Sequence, residues 1–480
     1  MIFETIIGLE IHVELLTKSK IFCSCSTEFG ADPNENTCPV CTGLPGTLPV
    51  LNEEAVDLAI RAGKALNCDI NVINKFDRKN YFYPDLPKAY QISQFDLPIC
   101  EKGYVDIEVE GQKKTIHITR IHMEEDAGKL MHLEEEATTL VDYNRTGVPL
   151  IEIVTEPDLR SPEEAVEFLK NLKEILEYTD ISDCRMEQGS LRCDANISLR
   201  QAGTEKLNTR VEIKNLNSFK EILKALKKEE KRQQELYLYG EGHKIQQETR
   251  KWDAAKGKTV AMRSKEESHD YRYFPEPDLP PVIIDQHKIE EIGATLPELP
   301  AEKRARFIEK YGVQKMQVDI LVAKKELADY FEKVVALGAI PIEAANWITV
   351  DMLRLLKDEE ETQEVPLKPE YIVQLLKLID EGKVSRTAAK EVLEELWGTD
   401  KTPDQVVQEK GLNQISGTEE LEKIVIDIIS KYPQAVEDYK NGKAQAVGYL
   451  MGQIMKATSG KANPQMVKEI IVNKLNDFKI

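Results

Sequence analysis

Residues 190–199, SLRCDANISL, alternate without a break: Ser190, Arg192, Asp194, Asn196 and Ser198 fall on one side, Leu191, Cys193, Ala195, Ile197 and Leu199 on the other. A period of two held over this length does not suit a helix and specifies a strand with one face in a core and one face polar. The N-terminus repeats the pattern. In GLEIHVEL, residues 8–15, Leu9, Ile11, Val13 and Leu15 lie on one face and Glu10, His12 and Glu14 on the other. In HMEED, residues 122–126, His122, Glu124 and Asp126 share a face if the strand continues, with Glu125 on the opposite one. PLIEIV, residues 149–154, sets Glu152 inside an otherwise apolar strand, where a lone carboxylate is costly unless it meets a cation or hydrogen-bond donors.

If these strands share one sheet, Glu10, His12, Glu124 or Glu125, Glu152 and Asp194 converge on an open polar face. Hard oxygen ligands with one imidazole suit Mg²⁺ or Mn²⁺, and mutual repulsion disfavours such a group without a cation. Taken singly, each residue is better explained as a solvated side chain; only convergence favours the other reading.

The segment CSCSTEFGADPNENTCPVC places Cys23 and Cys25, then Cys38 and Cys41, on either side of a loop rich in Pro, Asn and Gly. Two close thiol pairs joined in this way match a tetrahedral structural Zn²⁺ site, the alternative being reduced bystander thiols. Cys68, Cys100, Cys184 and Cys193 stand singly in apolar surroundings and read as core residues. The start, Met1-Ile2-Phe3-Glu4, lacks the basic and apolar character of a signal peptide, so the expected location is the cytoplasm, where disulfides do not explain eight cysteines.

No apolar run approaches the roughly 18 residues of a membrane helix, so no membrane partner is expected. The net charge of −20 argues against a general nucleic-acid binder. The average conceals a reversal: Lys431–Ile480 carries eight Lys and four acidic residues, a net of +4 that leaves −24 for the first 430 residues. A basic tail on an acidic body suits one docked polyanion, although drift in a solvated helical tail explains it as well.

The first part of the chain mixes strands with few helices. Val105, Ile107 and Val109, a turn at Gly111, then Ile116 and Ile118 read as a hairpin. Helices are predicted at 53–66 after Asn52, at 162–178 with Ser161 and Glu164 as a capping box, and from Phe219 to about Tyr239 after Ser218. FPEPDLPPVIID from Phe274 and LPELPAEKRARF from Leu296 mark the passage from extended chain to helix; beyond it nearly every segment has helical period, as in the glycine-capped Thr387–Gly398. The acidic stretch KDEEETQEVP, 357–366, reads as an exposed loop. The expected class is α+β: a largely antiparallel cradle over 1–290, an all-α domain over 291–403 and a small helical tail over 404–480.

Neither a G-x-x-x-x-G-K-[ST] loop nor a G-x-G-x-x-G fingerprint is present, and no G-x-S-x-G elbow or amidase-type Gly/Ser nucleophile motif. A nucleotide would have to be handled by a carboxylate-held metal. Between Asp77 and Phe95, cations (Arg78, Lys79, Lys88) interleave with Tyr81, Phe82, Tyr83, Tyr90 and Phe95, a pattern able to stack bases and hold phosphates but also produced by ordinary packing.

RKNYFYPDLPKAYQISQF, HMEEDAGK, VDYNRTGVPLIEIV, GSLRCDANISLR, EIKNLNSF, DYRYFPEPDLPP and GQIMKATSGKANP closely resemble, in order and end to end, the B subunit of glutamyl/aspartyl-tRNA amidotransferases. The resemblance implies ATP-dependent phosphorylation of the side-chain carboxylate of Glu-tRNA(Gln) or Asp-tRNA(Asn), then amidation with ammonia from a partner amidase, the A subunit, with a small C subunit completing the assembly. It implies catalytic roles for Glu10, His12, Glu124, Glu125, Glu152 and Asp194, with Mg²⁺ at Glu10, His12, Glu125 and Asp194. Lys79, Tyr81, Arg192 and Asn196 become candidates for contact with ATP, and Lys440, Lys443, Lys456 and Lys461 for contact with tRNA. The four cysteines match a zinc site found in part of that family. A tRNA-presenting scaffold with a purely structural metal cluster, or an isolated RNA-binding module, are the other readings.

Overall fold

A computed structural model describes residues 2–133, 138–262, 270–356, 365–415, 417–443, 445–458 and 460–477. The chain is α+β and divides into two compact units, Met1–Pro300 and Ala301–Ile480. Residues 357–364 of the acidic stretch lie outside the described residues.

In the first unit the alternating segments join one twelve-stranded sheet. The opening strand, Phe3–Glu14, lies in its interior, antiparallel to Leu191–Gln201 on one side and to Pro149–Thr155 on the other. Beyond Leu191–Gln201 come Val211–Lys214, then Glu248–Asp253 in parallel, then Lys258–Ala261. Beyond Pro149–Thr155 come Gln112–Glu125, Tyr90–Ser93, Asp77–Asn80 and Phe274–Pro275. The predicted hairpin joins Cys100–Val109 to Gln112–Glu125 with Val109 opposite Gln112. Its two turn residues, Glu110 and Gly111, both have positive φ (51° and 79°), the backbone that a tight hairpin between right-twisted strands requires.

Alternation sorts the two faces as the sequence implies. Leu9, Ile11, Val13, Ile151, Ile153, Ala195 and Ile197 are buried in one core cluster, covered by the helices Glu53–Ala65, Pro162–Tyr178 and Phe219–Leu238, whose Ala59, Phe168, Leu172 and Leu226 belong to the same cluster. The three helices start at Asn52, Ser161 and Ser218, each side chain accepting a first-turn N–H. The capping box at Ser161 is displaced by one residue: the Glu164 carboxylate accepts from the N–H of Arg160, the residue before the cap.

The second unit is built from helices. Arg386–Leu396 is followed by Gly398 in the left-handed region, and a separate core of Leu421, Val425, Leu450, Ile454, Val467 and Ile471 gathers Thr418–Lys431, Gln445–Ala457 and Pro464–Asp477. No helix among the described residues is long and apolar enough to cross a membrane.

Candidate active site and cysteine cluster

Strand register brings the polar faces together. Glu152 lies directly opposite His12 in one pairing and His122 in the other. Its Oε2 is 3.4 Å from His12 Nε2 and 3.2 Å from His122 Nε2. Glu124, two residues past His122, places Oε1 3.5 Å from His12 Nε2. His122, Glu124 and Glu152 are buried, while His12 keeps a partly open edge. One ligand atom each from His12, Glu124 and Glu152 falls within 4.8 Å of the others, so these three could hold a metal ion.

Electrostatics makes the group a set of interlocked charges. Burial alone would neutralise both carboxylates, but His122 and His12 hold Glu152 well below the usual range, and Lys79, with His122, holds Glu124 down. Burial likewise opposes the imidazolium of His122, yet Glu152 and Glu124 raise it to about 9; His12 is raised as well, chiefly by Glu152 against its own desolvation. Lys79 reaches the group from the strand Asp77–Asn80, which pairs with Tyr90–Ser93, whose Ser93 faces Glu124. Burial would lower its ammonium, and Glu124, Tyr273 and Glu152 keep it raised. Its Nζ lies 5.1 Å from the centre of the Tyr271 ring, against which Tyr81 packs edge-on.

Glu10 and Asp194 face each other across the next strand pair. Glu10 accepts from Asn196 Nδ2 at 3.0 Å and is raised by burial, then by Glu152 and Glu212. Asp194 is tied to Lys214 Nζ at 2.7 Å. At the other flank Arg192 binds Asp126 at 2.5 Å, and burial followed by the neighbouring Asp126 pushes Glu14 up to about 8. Arg192 and Asn196, candidates for ATP contact, are thus engaged by carboxylates of the same sheet face.

Glu125 does not join His12. Alternation carries it to the opposite face, where it receives Lys88 Nζ at 2.5 and 2.7 Å and the Ile92 N–H at 2.9 Å. The expected metal set of Glu10, His12, Glu125 and Asp194 is therefore not one cluster: Glu125 is divided from His12 by the sheet, and Asp194 is held by Lys214. His122, placed by sequence on the Glu124 face but not among the candidate site residues, takes the central place. The signal was present, because Glu152 in an apolar strand calls for a cation and His122 stands on the correct face of HMEED.

The four predicted cysteines do meet. Cys23, Cys25, Cys38 and Cys41 bring their sulfurs within 4.8 Å of one another, close to the roughly 3.8 Å edge of a tetrahedron with Zn–S bonds of about 2.3 Å. The Cys38 N–H donates to Cys41 Sγ at 3.2 Å. Cys41 is drawn down to about 4, first by the hydrogen bond from Cys23, with Lys20 assisting. The all-sulfur donor set fits structural zinc. The other four cysteines are buried and form no disulfide. A cavity of about 240 Å³ between this site and the Lys88–Glu125 pair is lined by both, together with Arg78 and Tyr90.

The tail lysines are dispersed. Lys440 and Lys443 line an open groove between Ile429 and Tyr449, with Lys443 paired to Asp438 at 2.9 Å. Lys456 is in the last turn of Gln445–Ala457, and Lys461 approaches Gly411.

Residues 5–290 match the family model described as the GatB/GatE catalytic domain, and residues 329–475 that of the GatB domain. The sheet with its imidazole–carboxylate group is accordingly the catalytic domain of an enzyme. The chain is 62% identical over its whole length to the B subunit of an aspartyl/glutamyl-tRNA(Asn/Gln) amidotransferase of Clostridium beijerinckii, all of which is covered. A second such B subunit, from Clostridium acetobutylicum, is 59% identical over 99% of this chain and all of its own, and one from Thermoanaerobacter pseudethanolicus is 56% identical over the same shares. The chain belongs to the family of aspartyl/glutamyl-tRNA(Asn/Gln) amidotransferase B subunits.

Proposed function

We propose that this chain carries the activation and amidation site of a glutamine-dependent tRNA amidotransferase, acting in the cytoplasm on Glu-tRNA(Gln), Asp-tRNA(Asn) or both. The reading rests on one observation: two carboxylates, Glu124 and Glu152, buried among His12, His122 and Lys79 on the polar face of the sheet. The side-chain carboxylate of the mischarged amino acid attacks the γ-phosphorus of ATP, ADP leaves, and an acyl phosphate forms. Ammonia then adds to the acyl carbon, phosphate departs, and a proton is lost to give the amide.

Both steps bring anions together, so they need fixed positive charge and positioning more than covalent help. Lys79, with Tyr81 and Tyr271 beside it, offers a cation and aromatic faces for the nucleotide. His12, Glu124 and Glu152 would hold Mg²⁺, with Glu10 on the His12 strand and Asp194 on the adjoining one; the ion would neutralise phosphoryl oxygens. His12 must shed its proton to serve as a ligand, so metal affinity rises with pH. Glu125 and Lys88, on the other face, contribute through the packing of the strand that carries Glu124.

An amidase, the A subunit of such an assembly, would supply ammonia, and a small C subunit would complete it. Lys440, Lys443, Lys456 and Lys461 are the proposed tRNA contacts of a tail domain spanning 404–480; the other proposed domains are a helical one over 291–403 and the cradle over 1–290.

The test is amide formation on Glu-tRNA and Asp-tRNA by the assembled enzyme with the amidase nucleophile disabled, given free ammonia, ATP and Mg²⁺. Product is expected, and Asp194→Asn should reduce it far more than it reduces tRNA binding. An intact, tRNA-bound complex that makes no product on either substrate would leave this chain a scaffold.

A further inference from the structure

Lys20 is 1% exposed, among the most deeply buried large side chains of the protein. Its ammonium donates to the Asn36 carbonyl at 2.7 Å and the Tyr143 carbonyl at 3.3 Å, and reaches Cys41 Sγ at 3.7 Å. Among the described residues no carboxylate pairs with it. A buried lysine is normally matched by an anion, and here the only anionic partner in reach is a cysteine sulfur. Four thiolates around a divalent ion leave a net charge of −2 at this half-buried site; one ammonium against one sulfur halves it.

We propose that Lys20 is the charge partner of the cysteine site: its buried ammonium, 3.7 Å from Cys41 Sγ, donates a charge-assisted hydrogen bond to that sulfur and thereby helps to retain the metal. This rests on the reading of the four cysteines as a metal site. The lysine also joins the cysteine loop to the turn that leads into the Glu152 strand. Asn36 N–H donates to Asn144 Oδ1 at 2.8 Å, Tyr143 N–H to Asn34 Oδ1 at 2.8 Å, and Ile21 N–H to the Gly147 carbonyl at 2.9 Å. Lys20 bonds both sides of that seam, so metal and turn are held by one group.

The discriminating variant is Lys20→Met, which keeps the length of the side chain and removes the charge, with Lys20→Gln in reserve should the first not fold. In the full-length protein within its assembly, zinc transfer to a chromophoric chelator and the sulfur-to-cobalt charge-transfer band of Co²⁺-loaded protein are measured. The expected result is zinc release at least about tenfold faster together with a shifted band, because a donor to one sulfur has gone. Lys20→Arg, which keeps a cationic donor, should release zinc more slowly than Lys20→Met. Faster release with the band at its wild-type energy would make Lys20 a mere loop tether and overturn the proposal, as would wild-type behaviour in both measurements. If the wild-type protein binds neither Zn²⁺ nor Co²⁺, the metal reading of the cysteines fails instead.

Discussion

The carboxylate of Glu152 meets the imidazole of His122 at 3.2 Å, side chain to side chain, from positions directly opposed in adjacent strands. The same oxygen serves His12 on the other side. Glu152→Gln removes the shared counter-charge of the buried His122 imidazole and the partly open His12 imidazole while leaving the volume intact. Breaking a buried pair from one side costs about 3–5 kcal/mol, and the proposed chemistry loses a metal ligand. Amide formation should fall by about a hundredfold or more, at the scale of one electrostatic stabiliser, with tRNA affinity retained. Denaturant unfolding and filter-binding assays on the same preparation check both parts.

His122 also gives the fold a pH dependence with a definite sign. Its folded-state value, about 9, lies above the ordinary 6.5, so the charged form is favoured by folding. Its contribution is complete below pH 6.5 and is lost as pH rises through 9. His122→Gln should be less stable than wild type at pH 6, and the gap should narrow towards pH 9. Denaturation midpoints at pH 6, 7.5 and 9 would reveal it.

Lys88 and Glu125 form a buried ion pair on the far side of the sheet. Lys88→Met leaves the buried Glu125 carboxylate with the Ile92 N–H but without its cation, and should cost about 3–5 kcal/mol. Lys88→Met with Glu125→Met should cost less than Lys88→Met alone, since the unpaired charge goes with its partner. A double-mutant cycle in denaturant measures the coupling.

Replacing Lys440, Lys443, Lys456 and Lys461 together by Ala should weaken tRNA binding and reduce the slope of log affinity against log salt by up to about three. Lys443 should contribute less than Lys456, because Asp438 already holds it. Binding measured across a salt series decides this, and an unchanged slope would remove these residues from the interface.

Face sorting was legible in the sequence because it is local. Leu9, Ile11 and Val13 pack into the core while Glu10 and His12 stay on the polar side. The cysteine site was legible for the same reason, its four ligands lying within one short loop. Register was not. Which of Glu124, Glu125 and Asp194 stands beside His12 is set by pairings between segments more than a hundred residues apart, and a one-residue slip exchanges the faces. Lys214 and Lys88, the partners that occupy Asp194 and Glu125, carry no pattern that links them to those carboxylates before the strands are aligned. His122 was visible in its own strand, but its place beside Glu152 follows only from their pairing.

The interior position of the first strand has a consequence for synthesis. Both of its neighbours, Pro149–Thr155 and Leu191–Gln201, emerge from the ribosome long after it does. At roughly 5–20 residues per second, the nascent N-terminus waits on the order of ten seconds with both hydrogen-bonding edges bare. Glu10, His12 and Glu14 along one side of that strand are then its protection against pairing with other nascent chains, since charge on an open strand discourages edge-to-edge association. Glu10 and His12, proposed to serve the activation site of the finished enzyme, would during translation act first as solubilising guards.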